Sequence, residues 1–145
     1  MLHYRLNGSI IACKNNKYLL VKKPRIHHAW QFPQGGVEIG ENCREAALRE
    51  FKEETGANQI KISKDESVIY KYDWPNNIKV NENLKKFRGQ EVHIFLAEFI
   101  GNDSDIFLEK NELEKWRWVS KTELEKLIES PEYLKIILKL INLAR

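Results

Sequence analysis

The segment from Glu41 to Gly56 sets the tightest limit on how this 145-residue chain can fold. Its pattern is helical. Asn42 reads as an N-cap, with Glu45 three residues on as the return arm of a capping box. Ala47, Leu48, Phe51 and Thr55 recur at the spacing of one buried face, and Gly56 follows the last turn, where a left-handed residue closes a helix. On the same helix Glu50 and Glu53 stand three apart and Glu50 and Glu54 four apart, so all three approach one face. Like charges at that spacing cost roughly 0.2–0.5 kcal/mol per pair, and Glu54 lies near the negative end of the helix dipole. A solvated acidic face is the ordinary explanation of a bare Glu-x-x-Glu-Glu. Here the same helix also packs a core, and a bound divalent cation would turn the repulsion into attraction. The absence of His and Cys beside the glutamates favours a hard, oxygen-seeking ion over zinc.

The remaining pattern surrounds this helix with strands. Asn7 to Cys13 reads as a strand, 14–17 as a turn, and Tyr18 to Lys22 as the second arm of a hairpin. Pro24 ends it. Ala29 to Phe32 is extended, and Pro33 keeps it out of a helix. Gln34-Gly35-Gly36 reads as a turn or loop with unusual backbone angles. Ile60 to Ile62, Ser67 to Tyr72, Glu91 to Phe99 and Lys115 to Val119 read as strands, and Pro75 to Arg88 as a long polar loop. Ser120 with Glu123 marks a second helix start, and Leu134, Ile137, Leu138 and Ile141 give the tail a packing helix. Strands before, between and after a few helices predict an α/β fold, a mixed sheet with helices on both faces. They do not give the regular alternation of a doubly wound parallel sheet.

Composition narrows the class. With 42% apolar and 31% charged residues the chain is globular rather than disordered, and residues 1–145 suit one domain. No apolar run reaches the length of a spanning helix, and the first residues lack a signal-peptide pattern. Cys13 and Cys43, few and far apart, are expected as reduced thiols in a cytoplasmic protein. A net charge of +3 admits a polyphosphate substrate without requiring one.

The helix belongs to a longer pattern: Gly35, Glu41, then Arg49-Glu50-Phe51-x-Glu53-Glu54-x-Gly56-Ala57. Every specified place of the Nudix box is filled, with Ala57 as the small final apolar residue, and the chain resembles the Nudix hydrolases. The resemblance implies an α/β/α sandwich with a mixed sheet and an enzyme acting on phosphorus-containing acid anhydrides. Trp30-Gln31-Phe32-Pro33-Gln34-Gly35-Gly36 narrows it to the subfamily that hydrolyses dinucleoside polyphosphates such as diadenosine tetraphosphate and removes pyrophosphate from RNA 5′ ends. Tyr4-Arg5, Tyr72 to Pro75, Gly89-Gln90 and Glu112 ahead of Trp116-Arg117-Trp118-Val119 extend the likeness. Two places depart from it. Relatives carry Lys-Gln and a further basic or aromatic residue after Gly-Gln, where this chain has Glu91-Val92-His93. Relatives also carry a Phe-Lys-Arg-type stretch where Ser130-Pro131-Glu132-Tyr133 stands here. Both changes remove positive charge.

The resemblance implies a site. Glu50, Glu53 and Glu54, with the Gly35 carbonyl, would hold Mg2+, with Mn2+ as an alternative ion. Glu41 would act through water. Glu53 or Glu112 would serve as general base beside Glu50. Arg5, Lys22, Arg25, Gln34 and Tyr72 would bind substrate, while Gly36, Glu41, Arg49 and Gly56 shape the motif. Exposed strand and loop positions are the simpler account of Lys22, Lys23 and Arg25, and packing is that of Trp30 and Phe32. Tyr72 and Trp74 suit either base stacking or packing under the loop. Cys43, with no evident His partner, reads as structural. The expected partners are a nucleotide-type small molecule and, as a second class, RNA 5′ ends. The other readings are a nucleoside triphosphate pyrophosphatase and a nucleotide-binding domain without turnover, and the complete glutamate set argues against the last.

Overall fold

The computed structural model describes residues 2–22, 30–63, 67–76, 80, 82–108 and 115–143. β1 (His3–Lys14) and β2 (Lys17–Lys22) form a hairpin. It turns at Asn15 and Asn16, whose φ angles of 52° and 60° lie in the left-handed region that Asn tolerates. β3 (Trp30–Gln31), β4 (Gln34–Gly36), α1 (Cys43–Thr55), β5 (Ile60–Ile62), β6 (Val68–Asp73) and β7 (Phe87–Phe99) follow. A short 3₁₀ turn (Asp103–Asp105), β8 (Lys115–Val119), α2 (Lys121–Leu127) and α3 (Pro131–Leu143) complete the described chain. The eight strands form one mixed sheet: β1 and β7 run parallel at its centre, and the other pairs are antiparallel.

Alternation along the central strands assigns the two faces. Ile10, Ala12, Phe95, Ala97 and Phe99 turn to one side and pack with Ala47 and Phe51 of α1. Ile11, Val92 and Ile94 turn to the other and pack with Leu124 of α2 and with Ile137 and Ile141 of α3. The result is the expected α/β/α sandwich. α1 crosses β1 over Gly8, where a Cβ would overlap the Cys43 carbonyl oxygen and the Ala47 backbone. Gly8→Ala is therefore expected to cost about 1–3 kcal/mol of stability through overpacking, read as a lower midpoint in urea unfolding. An unchanged midpoint would show that the helix can slide.

Three local expectations need correction. Gln34 to Gly36 is a strand rather than a loop: its glycines have little strand preference, but the edge of β1 left open by β7 supplies the pairs Asn7↔Gly36, Gly8↔Gly35 and Ser9↔Gln34. The polar loop after Pro75 ends earlier than its composition suggests, because Gly89 and Gln90 pair with Asp73 and Tyr72 and β7 begins at Phe87. The buried face of α3 is Tyr133, Ile137, Leu140 and Ile141; Leu134 and Leu138 lie partly exposed beside it. α1 itself spans Cys43–Thr55, with the Asn42–Glu45 capping box formed and Gly56 left-handed at φ 75°. Among the described residues no helix is long and apolar enough to cross a membrane.

Candidate active site

The Gly-Gly strand and the glutamate helix meet at the end of β4. A Cβ at Gly35 would land inside the Glu50 carboxyl group, so only glycine lets that carboxylate rest on the strand backbone. One residue earlier, the Gln34 backbone N–H donates to Glu54 Oε1 at 3.2 Å. Glu54 is 3% exposed. Glu53, on the outer side of the same turn, keeps 55% of its side-chain surface.

Arg49 ties these groups to the loop before the helix. Its Nε donates to Glu41 Oε2 at 2.8 Å, and its Nη2 donates to Glu41 Oε1 at 2.9 Å and to the Gly36 carbonyl at 2.8 Å. Its Nη1 reaches Glu50 at 2.8 Å, Glu53 at 3.3 Å and Glu38 at 3.6 Å. Glu45 stays on the helix cap, apart from the carboxylates around Arg49. The Arg49 hydrogen bonds, with a further one from the Glu38 backbone, pull the Glu41 pKa down from 4.5 to about 2. A depressed carboxylate pKa stabilises the fold above the unfolded value and loses that contribution as pH falls through the folded one. Carboxyl NMR should therefore show Glu41 ionised until about pH 2, and stability should fall between about pH 4.5 and pH 2; titration near 4.5 would contradict the pairing.

Four carboxylates share the one Arg49 guanidinium. Negative charge is in excess, and every donor is oxygen, the set a hard divalent cation takes. Among the described residues no three acidic, His or Cys side chains converge closely enough to hold an ion as they stand, since Arg49 Nη1 reaches both Glu50 and Glu53. Arg49 Nε and Nη2 are anchored on Glu41 and Gly36, which leaves its Nη1 as the group shared by Glu50 and Glu53. The residues fit a divalent cation on these grounds.

A second network runs from the strand side. Asn7 Nδ2, at 2.5 Å, and Arg5 Nη1, at 3.3 Å, both donate to Gln90 Oε1, and Gln90 Nε2 donates to the Tyr72 hydroxyl. The Arg5 guanidinium also lies over Gly36, where a Cβ would strike it. Burial raises the Tyr72 pKa, with the Gln90 hydrogen bond and Arg5 opposing. Tyr72 and Gln34 together line a cavity of about 250 Å³ with Trp30, Gln31, Tyr70 and Tyr133. Arg5, Gln34 and Tyr72 therefore lie in one neighbourhood of the fold.

Other expected residues stand apart. Lys22 ends β2 opposite Trp30, and no ion pair of Lys22 is found among the described residues. Arg25 and Glu112 lie outside the described residues. Trp74 is held by packing: its indole N–H donates to the Phe87 carbonyl and its ring meets Tyr72 edge-on at 6.0 Å. Phe32 is fully buried, whereas Trp30 also borders the cavity. His93 pairs with Glu91 at 2.8 Å. Burial, then Glu91, raises the Cys43 thiol pKa, which suits a structural cysteine. Asn7 was missed as a site residue, although a lone Asn opening an otherwise apolar strand was a usable signal.

Comparisons with known proteins place the chain in a family. The NUDIX domain model matches residues 3–140. An RNA pyrophosphohydrolase of Erythrobacter litoralis is 41% identical over 136 residues, 88% of this chain and 82% of that protein. One of Sphingopyxis alaskensis is 44% identical over 104 residues, 69% of this chain and 66% of that protein. Among solved structures, a C. elegans Ap4A hydrolase binary complex superposes with a TM-score of 0.77 at 23% identity, covering 94% of this chain and 96% of that one; at that identity the likeness speaks for the fold.

Proposed function

Because the chain belongs to the Nudix family and is a hydrolase of pyrophosphate bonds, we propose that it removes pyrophosphate from RNA 5′-triphosphate ends in a Mg2+-dependent reaction. The observation that carries this reading is the position of Gln34. Its backbone N–H is bonded to Glu54 and the residue lines the aromatic cavity, so a nucleotide with its base in the cavity presents its phosphates to the carboxylates. The relatives named RNA pyrophosphohydrolase supply the substrate class.

Hydrolases of this family generally use divalent metals. We assign Glu50, Glu53, Glu54 and the Gly35 carbonyl to hold Mg2+, which when bound neutralises phosphate charge and makes water more acidic. Glu53, the most exposed of the three, takes the proton from the attacking water; Glu112 is the other candidate for that role. Arg49 orients Glu50 and Glu53 from its anchor on Glu41. Arg5, fixed between Gln90 and Gly36, places positive charge against the phosphates, with Lys22 and Arg25 as further phosphate contacts. Tyr72 forms the cavity wall. Residues 1–145 act as one domain, and Cys13 and Cys43, which form no disulfide among the described residues, suit the cytoplasm.

A second reading, hydrolysis of a dinucleoside polyphosphate such as diadenosine tetraphosphate, is favoured by one feature: Glu91 and His93 pair on β7, where relatives carry positive charge that an RNA backbone would meet. The deciding experiment incubates the pure protein and Mg2+ with a triphosphorylated short RNA, diadenosine tetraphosphate and the common nucleoside triphosphates. Pyrophosphate release from the RNA at the highest kcat/KM is expected. Faster turnover of the dinucleotide moves the role to polyphosphate scavenging, and turnover of none overturns the enzymatic reading.

A further inference from the structure

A second groove, of about 510 Å³, opens where β1 and β7 begin. Tyr4, Arg5, Val37, Lys86 and Phe87 border it, and no carboxylate of the described residues does. Two links tie it to the active site. Val37 directly follows Gly36, whose carbonyl holds Arg49. Arg5 lies over Gly36 and donates to Gln90, which in turn donates to Tyr72 in the wall of the cavity beside Gln34. Arg5 thus bridges the two hollows. Around the groove, rings alternate with cations. Lys86 Nζ lies 5.4 Å from the centre of the Phe87 ring, and the Tyr4 ring carries Lys71 Nζ at 5.1 Å and the Arg88 guanidinium at 5.0 Å. The nearby carboxylates are engaged: Asp73 with Arg88 and the Tyr4 hydroxyl, Glu82 with Lys85, and Glu91 with His93. Lys71 and Lys86 have no carboxylate partner among the described residues.

We propose that this groove binds the nucleotides that follow the first in a single-stranded, 5′-triphosphorylated RNA. This rests on the reading that an RNA 5′ end is the substrate. A run of surface lysines is ordinarily a solvated face. These stand on aromatic rings around a hollow that adjoins the carboxylates, and rings interleaved with cations suit single-stranded nucleic acid, whose bases stack while its phosphates meet the charges. Phe87 offers its ring to an unpaired base, and Lys86 and Lys71 offer their charges to the backbone. A free nucleoside triphosphate carries the same 5′ triphosphate but leaves the groove empty. The groove is therefore what separates RNA from the nucleoside triphosphates.

The test compares kcat/KM with Mg2+ for a triphosphorylated RNA of eight nucleotides and for the nucleoside triphosphate of the same first base. The proteins are the wild type, Lys86→Glu and, as a control of equal charge change, Lys17→Glu, an exposed position at the opposite end of the β1–β2 hairpin. The wild type should prefer the RNA by at least about tenfold, the scale of one stacked base. Lys86→Glu should reduce that preference to within about threefold while hydrolysing the nucleoside triphosphate like the wild type, and Lys17→Glu should keep it. A wild type indifferent to length, a Lys86→Glu protein that keeps the preference, or equal loss in Lys17→Glu overturns the proposal. Binding of a 5′-hydroxyl octanucleotide in excess chelator, followed by fluorescence anisotropy, separates this from the hydrolase reading. Affinity that Lys86→Glu weakens at least about fivefold and Lys17→Glu does not upholds the groove even where no RNA is cleaved. Lys86→Ala should also lower the slope of log affinity against log salt by about 0.7, one phosphate contact. No binding, or binding with the same affinity and salt slope in all the variants, overturns it.

Discussion

Glu53→Gln leaves the protein folded and lowers kcat by about 10²–10⁴-fold, the range expected when a positioned proton acceptor is lost. The substitution is nearly isosteric. Glu53 keeps 55% of its side-chain surface and makes one long contact, 3.3 Å to Arg49, so stability should change by no more than about 0.5 kcal/mol. The pair of measurements matters: thermal unfolding should be unchanged while turnover collapses. Activity near the wild-type level would remove Glu53 from the centre of the mechanism and leave Glu112 as the candidate base. A collapse of both would mean that the carboxylate is structural.

Arg49→Met acts on folding and activity together. The guanidinium makes two hydrogen bonds to Glu41, one to the Gly36 carbonyl, one to Glu50 and a longer one to Glu53, so its loss leaves carboxylates crowded with no cation between them. We expect Tm to fall by roughly 5–10 °C and kcat/KM by at least about 10²-fold, as the glutamates lose their orientation. Arg49→Lys should not restore either, because a point charge cannot span Glu41 and Gly36 at once. In Arg49→Met the Glu41 carboxyl should titrate clearly above about 2, with only the Glu38 backbone N–H left to hold it down. Full activity in Arg49→Met would show that the carboxylates hold their places without it.

The parts of the molecule legible in the sequence were those set by local rules. The Asn42–Glu45 capping box, Gly56 at the helix end and the apolar face of α1 depend on residues within one turn of each other, and all are present. Helical spacing predicts Glu50, Glu53 and Glu54 on one face, but among the described residues the three do not converge: Glu54 is buried against Gln34 while Glu53 stays exposed. The parts that were hidden depend on partners distant in sequence. Gln34 to Gly36 became a strand because β1, some 27 residues earlier, offers a free edge. Glu54 reads as one more acidic residue until burial under Gln34 sets it apart from the exposed Glu53. The Arg5–Gln90–Asn7 network joins residues 83 and 85 positions apart. Tyr133 and Leu140 joined the core because α3 docks with a slightly different face than its own periodicity suggested.

The central claim is that the glutamates of α1 act with a divalent cation to cleave a phosphoanhydride bond. The direct measurement is pyrophosphate release from a triphosphorylated RNA by the pure protein as Mg2+ is titrated from chelated to saturating. Release that is absent under chelation and rises to a plateau with Mg2+ is the predicted result. Release that persists in excess chelator, or none at any Mg2+ concentration, would contradict it.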